Sequence, residues 1–85
     1  MLNKVVTGTK TFAKDQDIID YGTRTVVVAY EFSIYNMGDE IAYIQFNGCE
    51  DLVELEPGEG FNTNMQVRHA IVKTDGAIIK YSYWL

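Results

Sequence analysis

The sequence predicts an all-β chain: a single antiparallel β-sandwich of about seven short strands with no significant helix. Three observations lead there. Val, Ile, Thr and the aromatic residues supply 34 of the 85 residues, against nine Ala and Leu, a balance that suits pleated sheet. Turn signals recur every several residues, at Gly8, Tyr21-Gly22, Asn36-Met37-Gly38-Asp39, Asn47-Gly48, Pro57-Gly58-Glu59-Gly60 and Asp75-Gly76, as in sandwiches and barrels. The connections are too short for crossover helices, so the pairing is antiparallel. Alternation does not encode strand order, so Ig-like and jelly-roll-like topologies both remain open.

The elements follow in chain order. Residues 5–13 have strand composition but many threonines and poor alternation. Residues 15–21 read as a loop or short strand around Ile18-Ile19. The clearest strand covers residues 24–36, where Val26, Val28, Tyr30, Phe32 and Ile34 share one face by the period of two. That face is expected to be core. The opposite face, with Val27, Ala29, Glu31, Ser33 and Tyr35, is mixed. Residues 41–47 follow, with Ala42, Ile44 and Phe46 on one side and Tyr43 and Gln45 on the other. Asn47-Gly48 marks a hairpin, because both residues tolerate positive φ. Residues 50–56 return, with Val53 and Leu55 inward. Pro57-Gly58 fits the centre of a type II turn. Residues 67–74 and 77–84 flank Asp75-Gly76, which reads as the strongest hairpin signal in the chain.

A chain of 85 residues holds one domain, spanning 1–85. Seven basic and twelve acidic residues give a net charge of −5, the wrong sign for a general nucleic-acid binder. No run of 18 apolar residues is present, so no membrane-spanning helix is expected. Met1-Leu2-Asn3-Lys4 leads into Val-Val-Thr-Gly-Thr without an apolar h-region, so no secretory leader is expected.

No motif carries a reaction. Gly8-Thr9-Lys10-Thr11 lacks the upstream glycine and following helix of a phosphate loop. Asp15, Asp17, Asp20 and Gly22 form an acidic loop, but the spacing fails the calcium-loop pattern, and the reading is solvated turn residues. No metal or cofactor is expected. His69 is the single histidine and Cys49 the single cysteine; neither stands in a nucleophile–base–orienter pattern. The expectation is a non-enzymatic protein with no catalytic residues.

The aromatic residues point elsewhere. Tyr30, Phe32, Phe46 and Phe61 read as core. Tyr35, Tyr43, Tyr83 and Trp84 read as an interface, because exposed Tyr and Trp bury large area at low entropic cost. Val5 and Val6, in the apolar N-terminal stretch, join them. The same tyrosines and Trp84 leave a second reading, a carbohydrate-binding module or receptor-binding adhesin head.

Three segments carry a resemblance: Ile34-Tyr35-Asn36-Met37-Gly38-Asp39, Ile44-Gln45-Phe46-Asn47-Gly48 and Leu55-Glu56-Pro57-Gly58-Glu59-Gly60-Phe61. A strand ending in Asn-x-Gly, a strand ending in a small turn and then Leu-x-Pro-Gly-Glu resembles small β-sandwich accessory proteins of tailed bacteriophage virions: capsid decoration (cement) proteins and head, neck or tail components. The resemblance runs from Phe32 to Trp84, about two-thirds of the chain. It implies a multicopy, oligomeric structural protein, assembled in the host cytoplasm. Its partners would be the major capsid protein, other virion proteins or copies of itself, with no nucleic acid and no membrane.

Overall fold

The computed structural model describes residues 4–22 and 27–85. It contains eight strands: β1 Val5–Phe12, β2 Gln16–Asp17, β3 Tyr30–Asn36, β4 Ala42–Phe46, β5 Val53–Leu55, β6 Gly60–Thr63, β7 Ala70–Val72 and β8 Ala77–Trp84. No helix occurs among the described residues. The strands form two four-stranded sheets, the first ordered β1-β8-β3-β6 and the second β2-β7-β4-β5. Every ladder is antiparallel. This is the expected sandwich, and the strand order resolves its topology. Successive strands alternate between sheets, except β4 and β5, and the last two strands pair beside the first two. That order is the eight-stranded jelly roll.

The inner faces supply the core. Phe12, Phe32, Ile34, Ile79 and Tyr83 come from the first sheet, and Ala42, Ile44, Phe46, Leu55, Ala70 and Val72 from the second; all are buried. Phe32 stands at the centre. Its ring lies parallel to that of Tyr83 at 5.4 Å and edge-on to that of Phe46 at 5.7 Å. Phe46 sits in the opposite sheet, so this trio joins the layers. Removing such a ring typically costs about 3–5 kcal/mol, because the cavity adds to the lost transfer energy.

The predicted core face of residues 24–36 is only half right. Phe32 and Ile34 are buried, but upstream the buried residues are Val27 and Ala29, while Val28 and Tyr30 are half-buried. Val26 lies outside the described residues. The cause is a bulge: Tyr30 pairs with Trp84 and Ser33 with Ser82, so β3 advances three residues while β8 advances two. Glu31 takes up the extra residue at φ 48°. One inserted residue reverses the inward parity of everything before it.

The turns are correctly placed, but one changes meaning. Asn47 and Gly48 both have positive φ (51° and 73°), and Cys49 N–H donates to the Phe46 carbonyl at 2.9 Å. This type I′ turn opens the connection that folds β5 back onto β4. At Pro57-Gly58, Glu59 N–H donates to the Glu56 carbonyl at 2.9 Å with Gly58 at φ 83°, the expected type II geometry. Asp75-Gly76 makes no hairpin: β7 and β8 belong to different sheets. Of the two central residues only the second, Gly76, has positive φ, at 81°, which is the pattern of a type II turn and not of the primed hairpin turns, and type II turns splay their flanking strands. The β1–β2 connection holds this turn in place, through Gly76 N–H to the Phe12 carbonyl at 2.8 Å and Lys14 N–H to Asp75 Oδ1 at 3.1 Å.

Candidate interaction surface

The outer face of the first sheet is built from residues of one parity on β1, β8 and β3. Register sets them in rows. Val5, Trp84 and Tyr30 form the first, Thr7, Ser82, Ser33 and Asn62 the second, and Thr9, Lys80, Tyr35 and Gly60 the third. Ile78, next outward on β8, and Met37, just past β3, are also exposed. The face therefore has apolar ends and a hydroxyl-rich middle.

Its middle forms a groove of about 450 Å³ lined by Thr7, Thr9, Ser33, Tyr35, Lys80 and Ser82, among others. Ser33 Oγ donates to Asn62 Oδ1 at 2.5 Å. Tyr35 is 41% exposed, yet its ring is held from below. A Cβ on Gly60 would stand 3.3 Å from Tyr35 Cδ2, and one on Gly58 would stand 3.6 Å from its hydroxyl. The first contact is tight and the second ordinary, so it is Gly60 that lets the ring lie close to β6.

The structure divides the expected interface residues. Val5, Tyr35 and Trp84 share the outer face just described, with Val5 46% exposed and Trp84 half-buried. Tyr43 is exposed on the opposite sheet, where its hydroxyl donates to Glu54 Oε1 at 3.0 Å. That bond to a carboxylate, before any other influence, raises the Tyr43 pKa. Tyr83 is a correction, and Val6 turns inward. Tyr83 is fully buried, and its hydroxyl accepts from Asp20 N–H at 3.1 Å. Val6 is half-buried and packs against the core. Both lie on the inner parity of their strands. The preceding residues 1–3 lie outside the described residues.

Threonines 7 and 9, serines 33 and 82, and Lys80 were not singled out from the sequence. Each is unremarkable alone. Only the β1-β8-β3 order brings them side by side, and that order cannot be read from alternation.

A second polar cluster surrounds Asp17. Its Oδ1 accepts from Ile19 N–H at 2.9 Å and Ala70 N–H at 3.1 Å. Its Oδ2 lies 3.0 Å from His69 Nδ1 and accepts from the Tyr21 hydroxyl at 3.2 Å. The Arg68 carbonyl competes for the single Tyr21 proton, and the Tyr21 oxygen lies 2.7 Å from His69 Nδ1. Burial first, and then the Asp17 charge, pushes the Tyr21 pKa up to about 12, so this hydroxyl stays protonated. Asn47 holds the same loop, with Oδ1 accepting from Arg68 N–H at 2.7 Å and His69 N–H at 3.2 Å, and Nδ2 donating to the Gln66 carbonyl at 3.0 Å. An Asp–His pair orients an imidazole, but nucleophilic catalysis also requires a hydroxyl or thiol within its reach. No hydroxyl or thiol hydrogen-bonds to His69 Nε2 among the described residues. The cluster ties β2 to the approach of β7. No group of three or more His, Cys, Asp or Glu with metal-binding geometry occurs among the described residues.

Compared with protein-family models, curated proteins and solved structures, the chain matches none of them.

Proposed function

We propose that this chain is a non-enzymatic structural protein of a tailed phage virion. It acts as a multicopy decoration or stabilising subunit that holds the capsid shell, another virion protein or its own copies through apolar, aromatic surface. Its place is the virion, after assembly in the host cytoplasm. The observation that carries this reading is the jelly-roll strand order, since viral capsid domains, beside lectin domains and cupins, use that architecture. Fold alone does not define function, so the argument also needs a surface. Val5 and Trp84, beside Tyr30, provide an apolar strip at one end of the outer sheet. Many weak copies of such a contact sum by multivalency on a symmetric shell. The turn resemblance within residues 32–84 points the same way.

Incorporation of variants into phage particles of the encoding organism tests this. Val5→Asp and Trp84→Ala, each checked for native circular dichroism, should abolish incorporation, and Thr63→Ala should not. Full incorporation of both folded strip variants would remove this strip as the docking surface.

A further inference from the structure

We propose that the groove on the outer face of the first sheet binds an acidic saccharide, a sugar ring bearing a carboxylate. In this assignment Tyr35 is the stacking platform and Lys80 the counter-charge. The site goes beyond the structural role above and does not depend on it. Along β8, Lys80 stands four residues from Trp84, roughly 13 Å at strand rise, while the Thr7–Ser82 row of the groove adjoins the strip.

Three features identify the ligand class. The first is the platform. Tyr35 lies close over Gly60, where a Cβ would crowd its ring at 3.3 Å. A flat, exposed ring matches the C–H face of a pyranose, and a saccharide combines such an apolar face with a polar rim. The second is the hydroxyl row. Thr7, Ser82 and Ser33 are neighbours across three adjacent strands, roughly 5 Å apart by strand spacing, with Thr9 one row on. Ser and Thr hydroxyls both donate and accept, as sugar hydroxyls require of their partners. Ser33 donates to Asn62 Oδ1 at 2.5 Å, which leaves the Ser33 oxygen as an acceptor for an incoming hydroxyl.

The third feature is charge. Lys80 is the one formally charged residue lining the groove, and no carboxylate lines it. Lys80 makes no ion pair among the described residues. On a chain of net −5, the groove is locally positive, the complement of a sugar carboxylate. Its volume lies within the range of about 300–1,000 Å³ found for small-molecule pockets.

The test is an NMR titration of the uniformly labelled full chain with glucuronic acid and N-acetylneuraminic acid, and with glucose and galactose as neutral probes. At least one acidic sugar should shift the amides of Thr7, Ser33, Gly60 and Ser82 in the millimolar range, with the neutral sugars several-fold weaker. Tyr35→Ala should weaken binding roughly tenfold, the loss of one aromatic stacking contact. Tyr35→Phe should retain binding, and Lys80→Gln should erase the preference for the acidic sugar. Absence of shifts with both acidic sugars would overturn the proposal. So would equal binding of neutral and acidic sugars, or affinity unchanged in a folded Tyr35→Ala variant.

Discussion

The side-chain amide of Asn36, at the end of β3, donates a 2.9 Å hydrogen bond to the carbonyl of Leu55, at the end of β5 in the opposite sheet. The same amide donates to the Glu40 carbonyl at 2.7 Å, and Asn36 Oδ1 accepts from Gly38 N–H at 2.9 Å. Its backbone joins the Pro57-Gly58 turn, with N–H to the Glu59 carbonyl and its carbonyl accepting from Gly58 N–H. Asn36 is buried, and it fastens two turns and both sheets. Asn36→Ala orphans two carbonyls and one N–H near the core, each costing about 1–3 kcal/mol if unsatisfied. A loss of about 3 kcal/mol is expected, read as a lower urea midpoint at unchanged slope. A shift under a fifth of that would show that water replaces the amide.

The bulge predicts an inverted substitution pattern at Glu31. Left-handed φ is unfavourable for non-glycine residues and worst for β-branched ones. Glu31→Gly should be neutral or stabilising by about 1 kcal/mol, and Glu31→Val should destabilise by about 1–2 kcal/mol. An ordinary exposed strand position would give the reverse order. Thermal unfolding of the two variants separates the cases.

Tyr83 and Trp84 are adjacent in sequence and opposite in role. Tyr83 stacks on Phe32 and is fully buried, so Tyr83→Ala should cost about 3–5 kcal/mol. Tyr83→Phe removes the acceptor of Asp20 N–H and should cost about 1 kcal/mol. Trp84→Ala, on the outer face, should cost clearly less than Tyr83→Ala. Equal costs, measured by denaturant unfolding, would contradict the assigned parity of β8.

Asp15 and Tyr21 contribute to the pH dependence at the extremes, the latter beside Tyr43 and Tyr83, whose hydroxyls are also pushed up. The hydrogen bond from Lys73, 2.5 Å away, holds Asp15 below its ordinary carboxylate range. The contribution of that pair is present above the unfolded pKa near 4 and is lost as pH falls through the folded value. Both partners are substantially exposed, so the effect is small. Tyr21 is the opposite case. Its folded pKa rises from 10.0 to about 12, so its contribution is complete below pH 10 and disappears as pH climbs towards 12. Tyr21→Phe should flatten that alkaline loss, and Asp15→Asn the acid one. Stability measured across pH for the wild type and both variants checks the signs.

The sequence made the architecture legible where side-chain period and turn chemistry act locally. The alternation of Ala42, Ile44 and Phe46, the I′ dipeptide at Asn47-Gly48 and the Pro57-Gly58 turn all appear as read. It failed where long-range pairing decides. Asp75-Gly76 looks like a hairpin until the second sheet captures β7, and Val28 looks like core until Glu31 resets the parity. The surface was less legible for the same reason. Tyr35 stood out as an aromatic residue on a mixed face, but Thr7, Ser82 and Ser33 become a row only after β1 and β3 close on either side of β8. Tyr83 and Trp84 carry the same composition signal, and one position of register separates core from surface.

The central claim is best tested by the quantitative protein composition of phage particles purified on a density gradient from the organism that encodes this chain. The chain is expected to band with the particles at a fixed ratio to the major shell protein, in multiple copies. Its complete recovery in the soluble fraction, with none on the particles, would contradict the virion assignment.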